Sequence, residues 1–225
     1  MSTRRALVVR GGWEGHDPIG TTEEFLPFLD EQGFSVTVEE SLEVYADGDF
    51  MRSVDLVLQC WTMGEILADE LRGLRTAVAA GTGLAGWHGG IIDSFRMATD
   101  YHMLVGGQFT AHPGDLVEHG VEIVAPDHPI TAGIESFRLE SEQYWVQVDP
   151  LNDVLATTTI PADEGNGWST PVVSPAVWTR RWGQGRVFVA TPGHRREDLA
   201  VPAVRTIVER GLLWAARDAD GASQG

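Results

Sequence analysis

The feature that most constrains this chain is the repeated switch of apolar periodicity in its first half. Arg5–Arg10 is a short apolar run that ends in Gly11-Gly12. Thr21–Gly33 carries Phe25, Leu26, Phe28 and Leu29 at three-to-four spacing, with Thr21 or Thr22 as a cap and Gly33 as a stop. Phe34, Val36 and Val38 then alternate with polar residues, which is strand periodicity. Val54–Cys60 is continuously apolar, as a strand covered on both faces must be. Glu65–Ala80 reads as a helix closed by Gly81, and Gly83–Trp87 as another short strand. Strands separated by helices in this way predict an α/β fold built on a doubly wound parallel sheet.

The second half is less regular. Val121–Val124, Tyr144–Val148 and Val154–Thr159 read as short strands, and Pro161–Ser174 as a polar loop. Val177–Trp182 and Arg186–Ala190 flank Gly183-Gln184-Gly185 as a hairpin, and Ala200–Ala216 is an amphipathic helix. With no repeat and no linker, 1–217 is expected to be a single domain, and the small polar tail 218–225 to fray.

Charge narrows the partners. A formal net charge of -17 disfavours nucleic acid and anionic membranes alike. No apolar run reaches the ~20 residues of a spanning helix. Met1–Val9 passes straight into a strand-like run without a leader pattern, so the expected location is the cytoplasm. All sixteen basic residues are Arg. Without Lys there is no Schiff-base or P-loop chemistry. The lone Cys60 ends an apolar strand, where a buried small hydrophobe is the expected role.

Ligands of parallel α/β sheets bind at the carboxyl ends of the strands. His16 follows the first strand, His88 the fourth, and His194 the late strand ending at Thr191. His88 stands in Gly86-Trp87-His88-Gly89-Gly90, a G-x-nucleophile-x-G outline whose glycines permit a sharp strand-to-helix turn.

These stretches, together with Gly106-Gly107-Gln108-Phe109-Thr110-Ala111-His112-Pro113, Asp127-His128-Pro129-Ile130-Thr131, Glu140-Ser141-Glu142-Gln143-Tyr144, Gly183–Phe188 and Gly193-His194, resemble the ThuA-like (trehalose utilisation) family. The resemblance spans nearly the whole chain. It implies a class I glutamine amidotransferase-like (flavodoxin-like) three-layer sandwich, with His88 where amidotransferases carry Cys and His194 at the triad-His position. A thioester route is then closed, and no glutaminase activity is expected.

The candidate catalytic residues are His88, His194, His112, Glu142, Tyr144 and His16, with Glu142 chosen over Glu140 for its adjacency to Gln143-Tyr144. Trp13 and Trp87 flank this set and could stack on a sugar face. His102, His119 and His128 read as packing, surface or turn residues. The cofactor is open. His88, His112, His194 and Glu142 could hold a divalent metal such as zinc, although no short H-E-x-x-H motif is present. The resemblance implies an enzyme of carbohydrate metabolism acting on a small-molecule disaccharide or oxidised sugar by acid–base or metal-assisted chemistry. The competing reading is a noncatalytic carbohydrate-binding or accessory module. A packed cleft with His88 hydrogen-bonded to backbone would favour the module. Histidines facing an open cleft would lose function, not stability, on substitution by alanine. A homo-oligomer is compatible with either reading.

Overall fold

A computed structural model describes residues 3–218. Its strands are β1 (Arg4–Gly12), β2 (Phe34–Glu39), β3 (Leu56–Thr62), β4 (Gly83–Trp87), β5 (Gly107–Ala111), β6 (Leu116–Ile123), β7 (Phe137–Glu142), β8 (Trp145–Val148), β9 (Asp153–Ile160), β10 (Val172–Trp182) and β11 (Gly185–Ala190). The α-helices are α1 (Pro18–Glu23), α2 (Leu26–Glu31), α3 (Gly48–Arg52), α4 (Ala68–Ala79), α5 (Gly89–Ile92), α6 (Thr99–Val105), α7 (Arg196–Leu199) and α8 (Pro202–Ala215).

The fold is mixed α/β around a nine-stranded sheet of order β2-β1-β3-β4-β11-β10-β9-β6-β7. The strands are parallel from β2 to β11 and antiparallel from β10 outward, so only part of the sheet is the parallel one expected. β5 and β8 form a separate antiparallel pair. Successive side chains of a strand leave opposite faces. In β1, Ala6 and Val8 accordingly enter one apolar cluster with Ile207, Val208 and Leu212 of α8. Leu7 and Val9 enter another with Leu74 and Val78 of α4. Burial on both faces is why these strands read as unbroken apolar runs.

Several elements differ from the sequence reading, among them β6, which begins at Leu116 and not Val121, and β7, which was not expected. The helix expected over Thr21–Gly33 is two, α1 and α2. Pro27 has no N–H to donate to the carbonyl of Glu23, so one continuous helix cannot pass through it. Asp17, not a threonine, caps α1, its side chain accepting the Gly20 N–H at 3.0 Å. Thr21 and Thr22 turn their hydroxyls onto the Asp17 and Pro18 carbonyls. The loop expected to reach Ser174 already becomes β10 at Val172, with the pairing register shifting past Pro175. The helix expected from Glu65 starts at Ala68, where the Glu70 carboxylate accepts the Leu67 N–H at 2.7 Å. Of the expected tail, Asp218 lies 2.8 Å from Arg186, and residues 219–225 fall outside the described part. Among the described residues no helix is long and apolar enough to cross a membrane.

Candidate active site

His88 alone makes the turn between β4 and α5, with φ 49° and ψ −145°. Such a backbone costs an L-residue about 1–3 kcal/mol. Its neighbours must be glycine. A Cβ on Gly86 would lie 2.5 Å from the Gln59 carbonyl oxygen, and one on Gly90 would lie 2.8 Å from Cys60 Cα. The turn delivers the imidazole to the carboxyl edge of the parallel strands, as the glycine spacing led us to expect.

The imidazole is 1% exposed. Its Nδ1 lies 2.7 Å from the carbonyl oxygen of Thr191, which can only accept, so Nδ1 carries the proton and donates. Nε2 is thereby aimed at Glu142 Oε2, 3.0 Å away. Two further imidazoles meet the same oxygen. His16, in the turn after β1, places Nε2 3.9 Å from it, while its Nδ1 sits 3.0 Å from the hydroxyl of Thr62 at the end of β3. Gly89 admits that ring, since a Cβ there would lie 2.5 Å from the His16 imidazole. His194, after β11, places Nδ1 3.3 Å from Oε2. This nitrogen is buried, and among the described residues it has no hydrogen-bond partner. The ligand atoms of His16, His88, Glu142 and His194 all lie within 4.8 Å of one another.

Burial, then the neighbouring His88 and His194, brings the pKa of His16 down to about 3. Burial also lowers that of His88, against the opposing pull of Glu142 and the Thr191 carbonyl. Glu142 feels burial in the opposite sense, but the imidazoles of His194 and His88 outweigh it and hold the carboxyl below its usual range. His16 and His88 are therefore neutral beside an ionised Glu142 carboxylate.

The other candidates separate. Glu142 faces the cluster, while Glu140 points outward to Arg195 at 3.4 Å. His112 is not one of the four. It is a third exposed at the rim, with Nε2 3.8 Å from Glu142 Oε1, so His16 takes the place given to His112 in the expected metal set. Tyr144 is buried with its ring 4.0 Å from that of His88, and burial followed by Glu142 keeps its phenol protonated. Trp13 is half exposed beside His16, at 4.7 Å between rings. Trp87 cannot stack on a ligand, because it is buried against Phe25. Cys60 is buried, and desolvation pushes its thiol up to about 12, so it is no nucleophile. Nor do His16 and His88 face an open cleft, for both are buried.

The sequence reading missed the groups that hold this arrangement. Thr62 and the Thr191 carbonyl orient two of the rings. The buried Asp198 accepts the His194 N–H at 3.0 Å, the Ser141 hydroxyl and Arg195 Nε at 3.2 Å. It thus ties the His194 loop to the strand residue beside Glu142. An acidic residue four positions after a strand-exit histidine was the available signal.

A strained strand-to-helix elbow at the carboxyl edge of a parallel sheet marks an α/β protein whose centre is built on imidazole and carboxylate, not on a thiol. The chain belongs to the ThuA family, described as trehalose utilisation, whose model matches residues 5–215. Solved structures agree on the fold. A ThuA-like protein from Parabacteroides merdae superposes with TM-score 0.76 at 15% identity, covering 95% of this chain and 90% of its own. One from Bacteroides uniformis gives 0.75 at 16%, covering 95% and 91%. A cytoplasmic protein from Salmonella typhimurium LT2 gives 0.65 at 15%, covering 95% and 100%. No curated protein matches the sequence.

Proposed function

We propose that this chain is a cytoplasmic enzyme of carbohydrate metabolism acting on a disaccharide or oxidised sugar. Its centre would be a divalent cation held by His16, His88, His194 and Glu142. The family description supports the substrate class. The observation that carries the centre is the pairing at His88. Nδ1 spends the ring's proton on Thr191, so a neutral ring offers Glu142 a lone pair at 3.0 Å. Two acceptors that close repel each other unless a metal ion or a proton lies between them, and a metal ion meets all three imidazoles at once. The donor set is that of zinc. Neighbouring ligands of a tetrahedral zinc with bonds of about 2.0–2.1 Å lie about 3.3–3.4 Å apart. Glu142 Oε2 lies 3.0, 3.3 and 3.9 Å from the three nitrogens. The orphaned His194 Nδ1 fits the same group, and the Thr191 and Thr62 contacts are the outer hydrogen bonds that orient ligating imidazoles.

A zinc ion bound there would polarise a substrate oxygen and acidify a water. The chain's own residues supply the rest. Glu142 Oε1, turned toward His112, leaves that rim imidazole to hold or release a proton on the solvent side. Tyr144 supports the His88 ring from beneath. Trp13 offers an indole face at the rim to a sugar ring. We read the shell as a doubly wound, glutamine amidotransferase-like sandwich forming a single domain over 1–217. The parallel strands and the helical clusters on both faces support this.

The second reading, a noncatalytic module, draws on the same bond, since His88 is hydrogen-bonded to backbone in a packed setting. That bond occupies one nitrogen and aims the other, as a metal ligand requires. Calorimetric titration of chelator-treated protein with zinc tests the centre. Wild type is expected to take up one equivalent, and Glu142→Gln to bind at least ~10-fold more weakly. No uptake by wild type would refute the metal centre. Uptake with no turnover of disaccharides or oxidised sugars would favour the module.

A further inference from the structure

The β10–β11 hairpin sets two arginines side by side. Arg181 and Arg186 are direct partners in its antiparallel register, so their side chains leave the same face of the pair. Like charges directly opposite on two strands destabilise a sheet. Arg186 is relieved by Asp218, whose Oδ1 accepts from its Nη2 at 2.8 Å, and by the carbonyl of Ala216. Arg181 is exposed and, among the described residues, makes no hydrogen bond and no ion pair.

A third guanidinium joins them. Arg217, just past α8, is anchored by both terminal nitrogens. Nη2 donates to Thr82 Oγ1 at 3.0 Å and Nη1 to the Arg52 carbonyl at 3.3 Å, with Asp55 at 3.8 Å on the same side. Its Nε–H is buried and, among the described residues, has no acceptor, which costs stability unless a ligand supplies one. The three arginines, with Gly81, Gln184 and Asp218, line a cavity of about 180 Å³. Gly81 keeps clear the space next to the unpaired nitrogen. A Cβ there would lie 3.6 Å from Arg217 Nε and 4.0 Å from Gln184 Oε1.

Three guanidinium groups thus face one carboxylate in this lining, on a chain of formal net charge -17. So acidic a surface holds anions off elsewhere, so positive charge gathered at one point is selective for them. The C-terminal ends of α4 and α8 lie here, and their partial negative charge accounts for Arg186 and Arg217 turning N–H groups onto carbonyls. It leaves unexplained the free Arg181 and the unpaired Nε–H. Guanidinium N–H groups match the oxygens of phosphates and carboxylates, as the Arg186–Asp218 pair already shows. The volume lies below the usual range of about 300–1,000 Å³ for whole organic ligands, so it suits a single oxyanion group. The cavity sits where β4 and β11 begin, at the edge of the sheet opposite His88.

We propose that this cavity binds a phosphate group through Arg181, Arg186 and the Nε–H of Arg217, at a site separate from the His88–Glu142 centre and independent of the carbohydrate reading.

The test is calorimetric titration of the full chain with inorganic phosphate and with glycerol 3-phosphate, at pH 8 and fixed ionic strength. Chelator is present so that no metal at the histidine centre takes up the anion. Wild type should bind one equivalent of phosphate saturably, and its Tm should rise with phosphate concentration. Arg181→Gln should bind at least ~10-fold more weakly, the scale of one lost charge-assisted contact, and should fold as wild type does because Arg181 bonds nothing in the fold. Asp218→Asn should bind more tightly, since it removes the carboxylate that competes for Arg186. Glycerol 3-phosphate binding as tightly as phosphate would assign the site to a phosphorylated small molecule, and binding at least ~10-fold more weakly would assign it to the free ion; both uphold the site. The proposal is overturned if wild type shows no saturable uptake of either, if Arg181→Gln binds as wild type does, or if Asp218→Asn weakens binding.

Discussion

Replacing His88 by alanine and by glycine separates its side chain from its backbone. Both variants lose the imidazole, its hydrogen bond to the Thr191 carbonyl and its contact with Glu142. Stranding that buried carbonyl costs about 1–3 kcal/mol in each case. Only the alanine retains the strain of φ 49°, ψ −145°, about 1–3 kcal/mol. Glycine relieves the strain but adds about 0.4–1 kcal/mol of unfolded-state entropy. The difference leaves His88→Gly the more stable by roughly 1 kcal/mol, and by up to about 2.5. For a domain of this size, 1 kcal/mol is about 2–4 °C in Tm. Urea unfolding of both variants in chelator removes any contribution from metal. An alanine variant more stable than the glycine variant would refute the strained elbow. His88→Ala, which keeps the strain and loses the hydrogen bond, should be less stable than wild type, unlike what a histidine facing an open cleft would give.

Three further outcomes follow from the same geometry. Asp198→Asn keeps the size of the side chain but removes the charge that clamps His194, Ser141 and Arg195, so zinc affinity should fall about 10–100-fold with the ligands intact. Unchanged affinity would show that the His194 loop needs no such clamp. Cys60, pushed up to about 12 by burial, should resist iodoacetamide at pH 8 until the chain unfolds, and Cys60→Ser should leave activity in place. Rapid native alkylation would contradict this. Burial lowers the pKa of His102, His119 and His128 in the fold, so the unfolded chain takes up protons first as pH drops through about 6.5. Stability in urea should thus be fully present at pH 8 and lower at pH 5.5. A rise on acidification would reverse the sign.

The parallel strands were legible because burial on both faces forces continuous apolar runs, as in Val54–Cys60. His88 and His194 were legible because strand exits share one edge. β7, which carries Glu142, was not. Its inward residues run Phe137, Leu139, Ser141, and the last is buried through its bond to Asp198, a partner far along the chain. Depth was also hidden. A strand exit locates a histidine along the sheet but not relative to solvent, so the burial of His16 and His88 had no sequence mark. His16 outranks His112 in the cluster because Gly89, lacking a Cβ, lets that ring approach the elbow, a contact between distant segments that spacing does not encode. Pro27, by contrast, was a visible break in the expected helix that apolar spacing overrode.

The central claim is that three imidazoles and one carboxylate share a cation. Crystals grown with zinc and measured on both sides of the zinc absorption edge test it directly. The account predicts a single strong anomalous peak about 2.0–2.1 Å from the nitrogens of His16, His88 and His194 and from Glu142 Oε2, absent in Glu142→Gln crystals. A zinc-grown crystal with no peak among these four residues, or with an ordered water bridging His88 Nε2 and Glu142 in its place, would contradict it.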